Sequence, residues 1–283
     1  VVVPPSSCRR SDTTSSPRRF GNLAGVPEPT ATRPSAPLAD APRRSGPTPA
    51  GWWFDAVLLA ALAGLTGALA AGVFLDTDLA VRNWVDANRP PVAYWAARVL
   101  NYLGQGGQVL IPVSTVLALW LARRVRSVRP LLPVLGAVVA TYLSVGAMKV
   151  LLPRGYPHDL DDPFPERLFT EATPAMAYPS GHVTNAIVWY AVIALLITGL
   201  LRSYGRQVPA RRPFPGYLAL RLLPAAVLFC STVYLGYHWL TDSVAGLLLG
   251  WLLLRLLQRV PWDAVRLPWV RGGLDRPAGL FYQ

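Results

Sequence analysis

The stretch AYPSGHVTNAIVWYAV, residues 177–192, decides how this chain is read. Pro179, Ser180, Gly181 and His182 run straight into an apolar helical pattern. Serine is a preferred helix N-cap, and glycine lets a ligand approach the free N–H groups of a first turn. The stretch therefore predicts a membrane-seeking helix with a polar, anion-accepting start. That start carries one of only three histidines in the chain.

The surrounding composition agrees. Of 283 residues, 52% are hydrophobic and 15% charged, against about 25% charged in a typical soluble domain. The net charge of +12 comes almost wholly from arginine, and Lys149 is the single lysine. Cys8 and Cys230 lie in unrelated contexts and suggest no disulfide framework. Residues 1–50 are rich in Pro, Ser, Thr and Arg without an apolar run, so they read as a disordered tail. Paired arginines before a span read as orientation signals rather than a nucleic-acid site.

A bilayer core of about 30 Å needs roughly 20 apolar residues in a helix. Six stretches approach this: Trp52–Leu75, Gln108–Ala122 (short, with room to extend back through VLNYLGQGG), Leu131–Leu152, His182–Leu201, Leu218–His238 and Thr241–Val260. Inside lipid the backbone must satisfy its own hydrogen bonds, so helices are expected. The predicted fold is all-α: a six-transmembrane-helix bundle over 51–262, after the disordered tail and before a short basic C-terminal tail, 263–283. Arginine-rich loops, RRVRSVR at 123–129 and RSYGRQVPARR at 202–212, join spans two to three and four to five. The loop 153–177 is instead acidic, with Asp159, Asp161, Asp162, Glu166 and Glu171. The positive-inside bias then puts both termini in the cytoplasm and this loop outside, in a multi-pass protein of the cell membrane.

On that topology Lys149, Ser180, His182, His238 and Asp242 all come to the outer ends of spans. Ionisable residues at such places are costly unless paired or used. Lys149 offers a point charge suited to phosphate. Two histidines can divide phosphoryl transfer between them, one attacking phosphorus and one protonating the leaving oxygen. His238 and Asp242 are four apart, a spacing that lets a carboxylate fix an imidazole tautomer. No close His/Cys pair of ligand spacing is present, so neither metal nor cofactor is expected.

PSGH at 179–182, HWLTD at 238–242 and KVLLPRGYP at 149–157 resemble the three signature motifs of the type 2 phosphatidic-acid phosphatase and vanadium haloperoxidase superfamily. The resemblance spans roughly residues 95–260. It implies a lipid phosphate or diphosphate phosphatase of the membrane branch, working through a phosphohistidine on the outer face. It implies His238 as nucleophile, Asp242 as its orienting carboxylate and His182 as general acid. Lys149, Ser180 and Gly181 would bind phosphate. Two departures stand out: Tyr156 and Thr232 occupy positions where the family carries phosphate-clamping arginines. Arg154 is expected to take over part of that clamp. The alternatives are a lipid phosphotransferase or an impaired lipid-binding relative. Substrate identity and oligomeric state are not legible in the sequence.

Overall fold

The computed structural model describes residues 49, 51–171, 175–209, 212–270 and 272–280. The expected disordered tail lies outside the described residues, apart from position 49. Among the described residues the chain forms α1 (Trp52–Ala70), α2 (Leu75–Ala87), α3 (Pro91–Asn101), α4 (Ile111–Val125), α5 (Leu131–Leu151), α6 (Gly181–Ser203), α7 (Tyr217–Tyr234) and α8 (Leu240–Arg259). Among the described residues six helices are long and apolar enough to cross a membrane: α1, the run Gly106–Val125 that ends in α4, and α5 to α8.

The six expected spans are therefore present, with shifted ends. The first stops at Ala70 rather than Leu75, because Gly72 adopts φ +81 and turns the chain. The second begins at Gly106 and ends at Val125. The fifth ends at Tyr234, since Gly236 at φ +69 breaks the helix before His238. The segment between spans one and two also folds. It forms α2 and α3, with 13 and 11 residues, both too short at about 1.5 Å per residue to cross a core of about 30 Å.

Helix α6 is the axis of the bundle. It is apolar around most of its circumference and packs against α4, α5, α7 and α8, as a helix buried on all sides must. Small residues let α8 come close. A Cβ on Gly246 would fall 2.7 Å from the Ser180 carbonyl oxygen, and one on Gly250 would fall 2.9 Å from Ile187 Cδ1. This spacing of glycines four apart is a common device for close helix contact in lipid. At the far end of α1 and α8, Asp55 is buried and holds both Arg255 and Arg259. Those guanidiniums also lie over Phe54 and Trp52, at 4.7 and 3.9 Å from the ring centroids.

The segment after α8, expected as a basic tail, packs along that same end of the bundle. Arg129 donates to the carbonyls of Asp275, Trp262 and Val265, Ser127 donates to that of Arg276, and Leu280 is buried.

Candidate functional site

The opposite end of the bundle gathers the C-terminus of α5, the N-terminus of α6 and the turn between α7 and α8. Lys149, Gly181, His182 and His238 line one cleft of about 390 Å³ there, together with Tyr156, Asn185, Tyr237 and the turn Gly104–Gly106. Gly106 allows that turn to close on α6, because a Cβ would lie 2.6 Å from the Asn185 side-chain nitrogen. The first-turn N–H groups of α6 have no intrahelical acceptors and form a natural seat for an anion.

The two imidazoles are 5.9 Å apart between centroids and nearly edge to face. Each is held by a different neighbour. His238 is buried, and its Nδ1 is 2.8 Å from the Ala177 carbonyl oxygen. That carbonyl can only accept, so Nδ1 carries the proton and Nε2 is the nitrogen left for chemistry. Asp242 Oδ2 stands 3.7 Å from the same Nδ1, a charge contact rather than a hydrogen bond. His182 Nε2 contacts the side-chain amide of Asn101, at the end of α3, at 3.3 Å. Lys149 donates to the Met176 carbonyl at the cleft edge.

Behind His238 lies a chain of buried charge. Arg154 Nη1 donates to Asp242 Oδ1 at 2.5 Å, and Nη2 donates to Asp78 Oδ2 at 2.7 Å. All three side chains are fully enclosed. Thr241 fastens Asp78 from the other side, through its N–H at 3.0 Å and its hydroxyl at 2.5 Å. The second oxygen of Asp242 accepts from the Trp239 N–H at 2.9 Å, inside the first turn of α8. Burial disfavours the Arg154 cation, yet the carboxylates of Asp242 and Asp78 raise its pKa above the ordinary arginine value.

Arg154 therefore does not take the clamp position expected of it. Its Nη1, Nη2 and Nε donate to Thr241, Asp242, Asp78 and the Glu166 carbonyl, and it does not line the cleft. Thr232 is also withdrawn: it is buried and its hydroxyl donates to the Leu228 carbonyl at 2.7 Å. Tyr156, by contrast, does line the cleft. Burial, aided by the negative charge of Asp242, raises its pKa, which keeps the phenol protonated as a neutral donor. Ser180 occupies the N-cap position, but its hydroxyl is buried and has no hydrogen-bond partner among the described residues. The third histidine, His158, is exposed, leans on Gly236 and pairs with Asp86 at 3.0 Å.

Asp78, Asn101 and the Ala177 carbonyl are the parts that the sequence did not reveal. Asp78 and Asn101 sit in the stretch 75–101, where apolar and polar residues mix and no span stands out. The one available signal was the pair Asp76 and Asp78 in an acid-poor chain, which says nothing of which acid turns inward.

Residues 130–266 match the family model of the PAP2 superfamily. Over that region the chain is similar to the PAP2 superfamily. The match begins later than the expected 95, so the turn at Gly104–Gly106 and Asn101 lie outside the matched PAP2 region. The fold is similar to that of a solved transmembrane PAP2-type phosphatidylglycerolphosphate phosphatase from Bacillus subtilis. The TM-score is 0.54 at 20% identity, covering 72% of this chain and 93% of that one. At that identity the likeness shows the fold. No curated protein sequence matches the chain.

Proposed function

We propose that this chain is a PAP2-type integral-membrane lipid phosphate or diphosphate phosphatase, acting without metal from the outer membrane face. The observation that carries the reading is the cleft itself: Lys149, the α6 N-terminus with His182, and His238 converge from three distant segments. The solved relative of similar fold is named for a lipid monophosphate ester, which makes phosphatidylglycerol phosphate and phosphatidic acid the first substrates to test.

In this reading the phosphoryl group sits between Lys149 and the N–H groups of the α6 first turn. His238 Nε2 attacks phosphorus while Nδ1 keeps its proton and donates it in a hydrogen bond to the Ala177 carbonyl. The P–O bond to the lipid breaks, and His182 gives its proton to the leaving oxygen. Water then attacks the phosphohistidine, His182 takes that water's proton, and phosphate leaves with His238 restored. Tyr156 supplies a neutral hydrogen bond where the family's motif has a guanidinium. Ser180, behind the cleft, acts through the backbone turn that presents Gly181.

The loss of both clamp arginines favours a second reading, a phosphotransferase or an impaired relative with weaker anion recognition. One experiment separates them. Detergent-purified protein is offered a panel of lipid phosphates and diphosphates without added metal, and inorganic phosphate is measured. Release that vanishes in His238→Ala supports the phosphatase. Transfer of the phosphoryl group to an added alcohol with little free phosphate supports the phosphotransferase, and neither product from any substrate supports the impaired relative.

A further inference from the structure

The residue that most nearly fits a missing phosphate clamp is turned the wrong way, and what it does instead is specific. Arg154 joins three elements at once. Its guanidinium bridges Asp78 of α2 to Asp242 of α8, and its backbone brackets the segment 175–177 that holds His238. The Arg154 N–H donates to Ala175 O at 3.1 Å, and Arg154 O accepts from the Ala177 N–H at 3.0 Å. Ala177 is the residue whose carbonyl holds His238 Nδ1. Asp78 is only 1% exposed, and both of its oxygens are engaged by Thr241 and Arg154.

A buried ion pair is weak evidence for stability in itself, since desolvation offsets much of the attraction. This one has an asymmetry that a simple fastener would not need. One cation is shared by two carboxylates, and only the inner carboxylate faces the histidine. We propose that Asp78 and Arg154 are positioning residues for the phosphoryl-transfer site. Arg154 fixes the place of Asp242, and Asp78 draws part of the Arg154 charge away, so that Asp242 keeps enough negative charge to act on His238. The proposal rests on the reading of His238 as the nucleophile.

The charged and titratable groups around His238 come from several elements. They are Asp242 from α8, His182 from α6, Lys149 from α5, Arg82 from α2 and Arg89 from the turn between α2 and α3. Tyr156 and Tyr237 complete the cleft. The variants below change only the Asp78–Arg154–Asp242 chain and leave the other groups in place.

Asp78→Asn keeps the shape of the side chain and leaves the full Arg154 charge on Asp242. His238 should then lose its proton more easily. Arg154→Gln has the opposite electrostatic effect, but it leaves two facing carboxylates and is at risk of misfolding. The pair Asp78→Asn with Arg154→Gln removes one charge of each sign and keeps the protein testable.

The readout is the pH dependence of diethylpyrocarbonate modification at His238, resolved by peptide mass spectrometry on the full-length protein. It needs no substrate, so it stands apart from the identity of the reaction. We expect the midpoint to move to lower pH by roughly half a unit to one unit in Asp78→Asn, and to move back upward in the double variant. Both shifts should disappear when Asp242→Asn is added, because Asp242 carries the effect. Where turnover is measurable, kcat of Asp78→Asn should fall about tenfold with little change in KM. A midpoint unmoved in Asp78→Asn, or shifts that persist in full with Asp242→Asn, would overturn the proposal. Failure of the wild-type protein to release phosphate would count against the phosphatase reading and leave the modification result to decide this one.

Discussion

The two ends of the bundle each hide an ion triad, and the two are built with opposite signs. At the end with the arginine-rich loops, one carboxylate, Asp55, meets two arginines, Arg255 and Arg259. At the cleft end, one arginine, Arg154, meets two carboxylates, Asp78 and Asp242. The first cluster is partly open: its arginine side chains are 14% and 16% exposed. The second is sealed, with every member at 0%. The open triad ties α1 to α8 and carries an excess positive charge. The sealed triad ends in a carboxylate 3.7 Å from His238. The same residue types thus serve two tasks, and burial together with the sign of the excess tells them apart.

The largest expected break in that comparison is Arg154→Ala. It strands two enclosed carboxylates without a partner, a change that typically costs about 3–5 kcal/mol. Thermal unfolding in detergent should show a large drop, or the protein should fail to fold. A drop no greater than that of an exposed arginine would mean the sealed triad is open to water.

A smaller effect is expected at the glycine that lets α8 reach the cleft end. Gly246→Val pushes a side chain toward the Ser180 carbonyl, at 2.7 Å from the first added carbon. Overpacking of this kind costs about 1–3 kcal/mol. It should also lower turnover, because it moves the turn that presents Gly181 and His182. Stability lost with turnover intact would separate the α6–α8 contact from the site.

Tyr156→Phe removes one neutral donor from the cleft and should lower kcat/KM about tenfold, near 1.4 kcal/mol. Burial holds the Tyr156 phenol above the usual tyrosine pKa. It therefore remains a donor as pH rises through the range where an ordinary tyrosine begins to ionise. The ratio of wild type to variant should stay constant across neutral and mildly alkaline pH. A ratio that collapses on the alkaline side would mean that Tyr156 ionises and contributes only below its pKa.

The smallest effect belongs to the open triad. Arg255→Ala leaves Asp55 paired with Arg259, at a partly solvated site where ion pairs are worth about 1 kcal/mol or less. Unfolding should shift slightly and turnover should be unchanged. A fall in turnover equal to that of Tyr156→Phe would show that the two ends are coupled through α8.

Much of this architecture was legible in the sequence, for a physical reason. Spans announce themselves because lipid demands long apolar helices, and PSGH with HWLTD marks where two of them begin. Lys149, Gly181, His182 and His238 were placed at one face by topology alone, and they do share a cleft. What escaped was fixed by three-dimensional packing rather than pattern. Asp78 and Asn101 lie on short helices that lack a span's hydropathy, and no residue code announces that they turn toward the site. The Ala177 carbonyl is backbone and leaves no trace in residue identity. Arg154 was misplaced because its distance along the chain from Lys149 suggested the clamp, while two buried acids far away in sequence draw it inward.

The central claim is that His238 is the nucleophile in a cleft assembled around the α6 N-terminus. Rapid acid-free quenching of the protein with a ³²P-labelled lipid phosphate, followed by peptide mapping, tests it most directly. The account predicts a transient, acid-labile label on His238 that builds up and decays with turnover and is absent in His238→Ala. Label on His182 or His158, or steady phosphate release with no phosphohistidine and near-normal turnover in His238→Ala, would contradict it.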